Sequence, residues 1–247
     1  MSKQFKRNSY QYTSADKAPE ILDDELFYGL ALDEDQKNFR DNIWDKNKIV
    51  VICNSRAGTG KSTIALGTAN LLVQYGRYDG IVYIMAPTQE QKQGYLPGDL
   101  EEKSAPYMEP LVEAMNTLGI APNALINDND MSSMKNGDAY IKFTVDTYLR
   151  GCNFENKVII IDESANFYFD EMKKVLTRIH DNCKVIIIGH DGQCDLYKHK
   201  ERSGFIPYLN AFEKIKEDPR VAICKLSINH RGWFSNFCDD VKPESSK

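Results

Sequence analysis

The run Ile49-Val50-Val51-Ile52-Cys53-Asn54-Ser55-Arg56-Ala57-Gly58-Thr59-Gly60-Lys61-Ser62-Thr63 constrains the fold of this chain more than any other stretch. Its opening residues are apolar and mostly β-branched, the pattern of a strand buried on both faces. A loop of small residues follows, and beyond it Ile64, Ala65, Ala69 and Leu72 recur at helical spacing. A strand feeding a Gly-rich loop that opens a helix at Gly-Lys-Ser is the layout of a phosphate-binding P-loop. The backbone N–H groups of Ser55, Arg56, Ala57, Gly58, Thr59, Gly60, Lys61, Ser62 and Thr63 are expected to surround nucleotide phosphates at the helix N-terminus. Lys61 would reach the β- and γ-oxygens, and the Ser62 hydroxyl would hold Mg²⁺. A Gly-Lys-Ser/Thr triplet arises by chance in roughly one chain in eight of this length. The flanking strand and helix therefore carry the assignment.

A chain of 247 residues can bury one substantial core with a small extra layer. Its net charge of -5 excludes a general nucleic-acid coat, so any such surface is a local patch. No apolar run reaches the about 18 residues of a membrane helix, and the polar start lacks the apolar centre of a signal peptide. No membrane partner and a cytoplasmic location are expected. The 6 cysteines form no CxxC pair, and reduced thiols are expected rather than zinc or disulfides.

Taken in order, residues 1–20 are polar and aperiodic, a mobile arm. A helix is expected from Leu32, with Asp33 and Gln36 in capping-box register and Phe39, Ile43 and Trp44 on one side. Gln36 has two readings here, the reciprocal cap of Asp33 and an amide that pairs with the adenine N6/N7 edge. Ile81–Met85 reads as a second buried strand. A helix should run to about residue 118, and residues 121–138 read as a turn-rich surface excursion. Tyr140–Val145 alternates like a strand, delivering Thr147 and Arg150 beyond its end.

Val158-Ile159-Ile160-Ile161-Asp162-Glu163 is the second constellation, a buried strand ending in two carboxylates. Opposite a P-loop, Asp162 would bind in the Mg²⁺ shell and Glu163 would polarise the attacking water. Two adjacent acids argue against a simple switch GTPase, and no Asn/Thr-Lys-x-Asp guanine motif is present. A helix from about Asp170 to Ile179 leads to the buried strand Val185–Gly189. Gln193 lies just past that strand, placed to sense the γ-phosphate. Lys198, Lys200 and Arg202 read first as a solvated basic face. A helix near 206–216, a strand over Val221–Leu226, and Asn229-His230-Arg231-Gly232 before a short helix close the chain.

The run Gly94-Tyr95-Leu96-Pro97-Gly98-Asp99-Leu100-Glu101-Glu102-Lys103 with Pro106-Tyr107 resembles the hallmark of the PhoH-like ATPases. Arg150-Gly151, Asp162-Glu163 with Asn166, Leu176-Thr177-Arg178, Gln193 with Asp195-Leu196, and Ser203-Gly204 follow in that family's order, over roughly residues 32–240. The resemblance implies an α/β fold: a RecA-like P-loop NTPase core with a mainly parallel sheet flanked by helices, related to superfamily one helicases. It implies ATP and Mg²⁺ as ligands, a homo-oligomer with a hexameric ring foremost, and work on single-stranded RNA or DNA. By that resemblance Gln36 matches an adenine-reading glutamine. Asn229-His230-Arg231 is similar to the helicases' Asn-Tyr-Arg motif, whose arginine contacts the γ-phosphate.

Four positions depart from the family pattern. The first P-loop glycine is Ser55, the arginine before Pro87 is Ala86, Asp-Glu-Ala-Gln-Asn reads Asp162-Glu163-Ser164-Ala165-Asn166, and the aspartate after Gly189 is His190. The compact form resembles a phage member. The expectation is then an arm over 1–20, an ATPase domain over 21–240 and a tail over 241–247. Lys61, Glu163, Gln193 and Arg231 would be catalytic, with Arg231 acting in trans and Arg178 as the competing arginine finger. Arg150 is the leading nucleic-acid contact. A regulatory ATP-binding scaffold and a small-molecule kinase are the alternative functions.

Overall fold

Strands with an apolar residue at every position have no face to give to water, and they must lie between two layers. In the computed structural model, which describes residues 18–86, 105–121, 125–126, 140–145, 152–192, 196, 203–239 and 241, they do. Strands β1 (Val50–Asn54), β2 (Ile81–Met85), β3 (Leu125–Ile126), β4 (Ile141–Val145), β5 (Val158–Asp162), β6 (Lys184–Gly189) and β7 (Val221–Cys224) form a 7-stranded sheet in the order β3-β4-β2-β5-β6-β1-β7. Every pairing is parallel.

Alternate residues of each strand enter two separate cores. On one face Val51, Tyr83, Ile160 and Ile186 pack under α1 (Glu34–Trp44), α2 (Lys61–Gln74) and α3 (Glu109–Thr117), which contribute Phe39, Ile43, Leu66, Leu72, Leu111 and Met115. On the other, Ile52, Ile84, Ile161 and Ile187 meet Met172 of α4 (Phe169–Leu176) and Phe205 of α5 (Phe205–Glu213). Helix α2 is buried continuously from Ile64 to Leu72 because α1 and α3 both lean on it. Truncation of a residue such as Ile160, which has no exposed surface, would cost about 2–5 kcal/mol.

The strand order positions the site. β6 lies between β1, which feeds the P-loop, and β5, which ends at Asp162. Because all three run parallel, their carboxyl ends share one edge, and open α/β sheets bind ligands along that edge. α1 begins with the expected capping box: Asp33 accepts from Gln36 N at 2.8 Å, and Gln36 Oε1 accepts from Asp33 N at 3.2 Å. The last described helix is α6 (Trp233–Asp239).

The structure differs from the sequence expectations mainly at element ends. The excursion over 121–138 contributes the edge strand β3, too short at 2 residues to show any periodicity. α4 stops at Leu176, where Thr177 N still bonds back to Lys173 O and the chain turns toward β6. The hallmark run 94–103, the pair Arg150-Gly151 and the basic residues Lys198, Lys200 and Arg202 lie outside the described residues.

Candidate nucleotide site

At the carboxyl end of β1 the backbone turns out of the sheet through Ser55. This residue is buried, its N–H donates to Gly189 O at 3.0 Å, and its hydroxyl accepts from Leu226 N at 2.6 Å. The departure from glycine thus has a physical reason: the hydroxyl fastens the start of the loop to the chain leaving β7. Further along, Gly58 and Gly60 both take left-handed conformations, φ 76° and 83°. A Cβ on Gly58 would sit 2.5 Å from Asn229 Oδ1, and one on Gly60 would sit 3.0 Å from Gln36 Nε2. The left-handed angle favours glycine at both positions, and a Cβ at either would also make the Asn229 or Gln36 side-chain end shift.

The loop opens into a cleft of about 780 Å³ lined by Gln36, Lys61, Ser62, Asp162, Glu163, His190 and Arg231 among others. Lys61 Nζ donates to Ser55 O and Arg56 O, both at 2.6 Å. Burial holds its ammonium below the ordinary lysine range, partly offset by Cys53, Asp162 and Glu163. Ser62 Oγ donates to Asp162 Oδ2 at 2.7 Å, and the Tyr83 hydroxyl donates to the same oxygen. Asp162 Oδ1 accepts from Glu163 N at 2.7 Å. Burial beside Asp162 pushes the Tyr83 phenol well above its usual range, so it remains a donor.

Glu163 has φ 49°, a left-handed conformation for a residue with a side chain. Such backbone costs on the order of 1–3 kcal/mol and is found where a site needs it. Here the turn buries Asp162 and leaves Glu163 exposed at the cleft. A hydroxyl and a carboxylate at hydrogen-bonding distance beside a helix N-terminus are a hard oxygen pair, and that donor chemistry fits Mg²⁺.

Gln36 makes the reciprocal cap with Asp33 and also touches the P-loop. Its Oε1 completes the helix cap, while Nε2 donates to Thr59 O at 2.9 Å inside the P-loop. Each amide atom retains a second bonding position, and the side chain lines the cleft.

The segment after β7 returns across the P-loop. Ser227 N donates to Asp35 Oδ2 at 3.0 Å, His230 N donates to Gly58 O at 2.8 Å, and His230 Nε2 lies 2.9 Å from Asp33 Oδ2. Asn229 Oδ1 accepts from Arg231 N at 2.8 Å, and the Arg231 stem runs beside Gly58. Arg231 therefore lines the cleft of its own chain. Arg178 sits at the other end of the sheet, where its carbonyl accepts from Phe154 N at 3.0 Å ahead of β5. Gln193 and Arg150 lie outside the described residues.

The structure brings Gln36, the P-loop residues Ala57, Gly58 and Gly60 to Thr63, Asp162, Glu163 and Arg231 into one cleft, while Ser55, Arg56 and Thr59 do not line it. Sequence reading missed Tyr83 and the Asp33 contact to His230. The first carried one signal, a hydroxyl-bearing aromatic in an otherwise apolar strand. Among the described residues no helix is long and apolar enough to cross a membrane.

A glycine-rich loop between a central parallel strand and a buried helix, facing an acidic strand end one strand away, places the molecule among P-loop NTPases of the RecA-like kind. The comparison with known families narrows this: the model for PhoH-like protein matches residues 31–230, and the chain belongs to that family. Protein PhoH2 of Bacillus subtilis (strain 168) is 28% identical over 224 residues, covering 90% of this chain and 49% of that protein. Protein PhoH of Escherichia coli (strain K12) is 30% identical over 199 residues, covering 80% of this chain and 52% of its own length. The chain thus spans about half the length of these relatives. Among solved structures, the HK97 bacteriophage large terminase aligns with a TM-score of 0.50 at 12% identity, over 83% of this chain and 41% of that one.

Proposed function

We propose that this chain is a Mg²⁺-dependent ATP hydrolase that works as a homo-oligomer, a hexameric ring foremost, on single-stranded RNA or DNA in the cytoplasm. The observation that carries the reading is the 2.7 Å contact between Ser62 and Asp162, made beside Lys61 and Glu163 in one cleft. Mg²⁺ held there would neutralise charge on the β- and γ-phosphoryl oxygens.

The rest falls to the chain's own side chains. Lys61 exchanges its two carbonyl contacts for phosphate oxygens, and the backbone N–H groups of the loop from Arg56 to Thr63 surround the phosphates, the Ser55 N–H being taken by Gly189 O. Glu163, held at the cleft by its left-handed backbone, orients the attacking water. Arg231 reaches the γ-phosphate from the segment docked on Gly58, and Gln193 senses the same group. Gln36 reads the adenine edge with its remaining donor and acceptor. Catalysis of this kind is positional and electrostatic.

Two variants test the proposal together. Lys61→Ala should abolish hydrolysis and weaken ATP binding, whereas Glu163→Gln should keep binding and lose turnover. ATP hydrolysis by Glu163→Gln at near wild-type rate would remove the water-orienting role. Binding without hydrolysis by the wild-type chain, with and without single-stranded RNA, would turn the reading to a nucleotide-binding scaffold.

A further inference from the structure

Strand β2 is apolar apart from one hydroxyl. Tyr83 is fully buried in its middle, with its ring stacked on Phe143 at 6.3 Å between centroids. It pairs with Ile160 of β5, while Asp162 pairs with Met85. Tyr83 and Asp162 are thus diagonal neighbours on the same face of adjacent parallel strands, and the phenol donates to Asp162 Oδ2. That oxygen is also the acceptor for Ser62 Oγ, while Oδ1 takes the Glu163 amide. Packing alone does not require the hydroxyl, because phenylalanine fills the same space.

We infer that Tyr83 is a positioning residue that holds the Asp162 carboxylate turned toward Ser62 and thereby sets the affinity of the cleft for the divalent cation that accompanies the nucleotide. The inference rests on the reading of Ser62 and Asp162 as the cation pair. Among the described residues three donors fix the carboxylate: Ser62, Glu163 N and Tyr83. Of these only the phenol lies on the far side of the carboxylate's own strand from the P-loop strand, since β2 and β1 flank β5 and β6 on opposite sides. Without it, among the described residues Asp162 is held only from the P-loop helix and by its own neighbour. Outer partners that orient a metal-binding carboxylate typically contribute 10–100-fold in metal affinity. An opposing effect exists, because a donor withdraws charge from the carboxylate and its loss alone would tighten binding. Orientation dominates here, because Ser62 and the Glu163 amide still draw on that charge after the phenol is gone.

The test uses the full chain as wild type, Tyr83→Phe and Asp162→Asn. Each is titrated with Mn²⁺ at saturating ADP, with free Mn²⁺ read by electron paramagnetic resonance, and each is titrated with a fluorescent ADP analogue in EDTA. Tyr83→Phe should bind Mn²⁺ about 10-fold or more weakly while its metal-free nucleotide affinity stays within about twofold. Unchanged or tighter Mn²⁺ binding overturns the inference, as does an equal loss of metal-free nucleotide binding. If Asp162→Asn loses the Mn²⁺ site and Tyr83→Phe keeps it, only the role of Tyr83 fails. If Asp162→Asn binds Mn²⁺ like wild type, the cation pair itself is wrong and the inference falls with it.

Discussion

The hydroxyl of Ser55 accepts the amide proton of Leu226 at 2.6 Å, joining the first residue of the phosphate loop to a residue 171 positions later in the chain. Both partners are buried. Ser55→Ala would leave the Leu226 N–H without its acceptor, a loss of about 1–3 kcal/mol. A lowering of Tm by several degrees is expected in thermal melts, with Ser55→Gly at least as destabilising because it also frees the backbone. Equal melting of Ser55→Ala and wild type would show that this bond contributes nothing net.

Arg231 lies on its own P-loop, so its contribution should be confined to its own subunit. An arginine on the γ-phosphate supplies roughly 10³–10⁵ in rate, and Arg231→Ala should lose turnover on that scale. Mixed oligomers of Arg231→Ala and Lys61→Ala subunits, each inactive alone, should stay inactive, because no subunit then holds both groups. Recovered activity in verified mixtures would return the arginine to a neighbour's site.

Lys184 offers a pH dependence far from the cleft. It has no exposed surface, its ammonium donates to the carbonyls of Asp45 and Lys48 behind α1, and burial lowers its pKa to about 7. A depressed folded pKa means that the unfolded chain binds the proton more tightly. Stability should therefore rise as pH climbs from about 7 toward the ordinary lysine value, and stay low below 7. Urea unfolding at pH 7 and pH 9 should differ by about 2 kcal/mol from this group, and Lys184→Met should flatten that slope. An unchanged slope in Lys184→Met would assign it to other groups, Lys61 among them.

With a net charge of -5, contact with single-stranded nucleic acid should rest on few phosphates. Each contributes about 0.7 to the log–log salt slope, so affinity should fall steeply between low and moderate salt and be indifferent to sequence. Arg150→Ala should lower the slope by about one such contact. Fluorescence anisotropy with oligo(U) and mixed-sequence RNA at several salt concentrations measures both quantities, and a salt-independent affinity would refute the proposal.

The strands around the P-loop were legible because burial on both faces writes itself as unbroken apolar runs: Ile81–Met85 is observed at the bounds read from sequence, and Val158–Asp162 keeps its terminal acid. Asp33 and Gln36 were legible because a capping box is local. What could not be read depends on partners distant in the chain. Nothing near Arg231 says that the His230 amide will bond Gly58 and carry the arginine to the rim of the cleft. Tyr83 looked like core until β5 put Asp162 diagonally across from it. Gln36 could not be divided between cap and cleft because its two amide atoms serve both.

The return of residues 226–231 across the phosphate loop has a consequence for synthesis. Every other part of the cleft named above, from Gln36 to His190, leaves the ribosome before this segment does. Until β7 pairs with β1 and Leu226 reaches Ser55, the loop lacks its second anchor and Gly58 lacks its neighbours. Contacts of such sequence separation form late, because loop-closure entropy must be overcome first. A nascent chain stalled with residue 220 at the tunnel exit should therefore hold its P-loop sequence complete yet retain little nucleotide, and competence to bind should arrive abruptly over the next dozen or so residues.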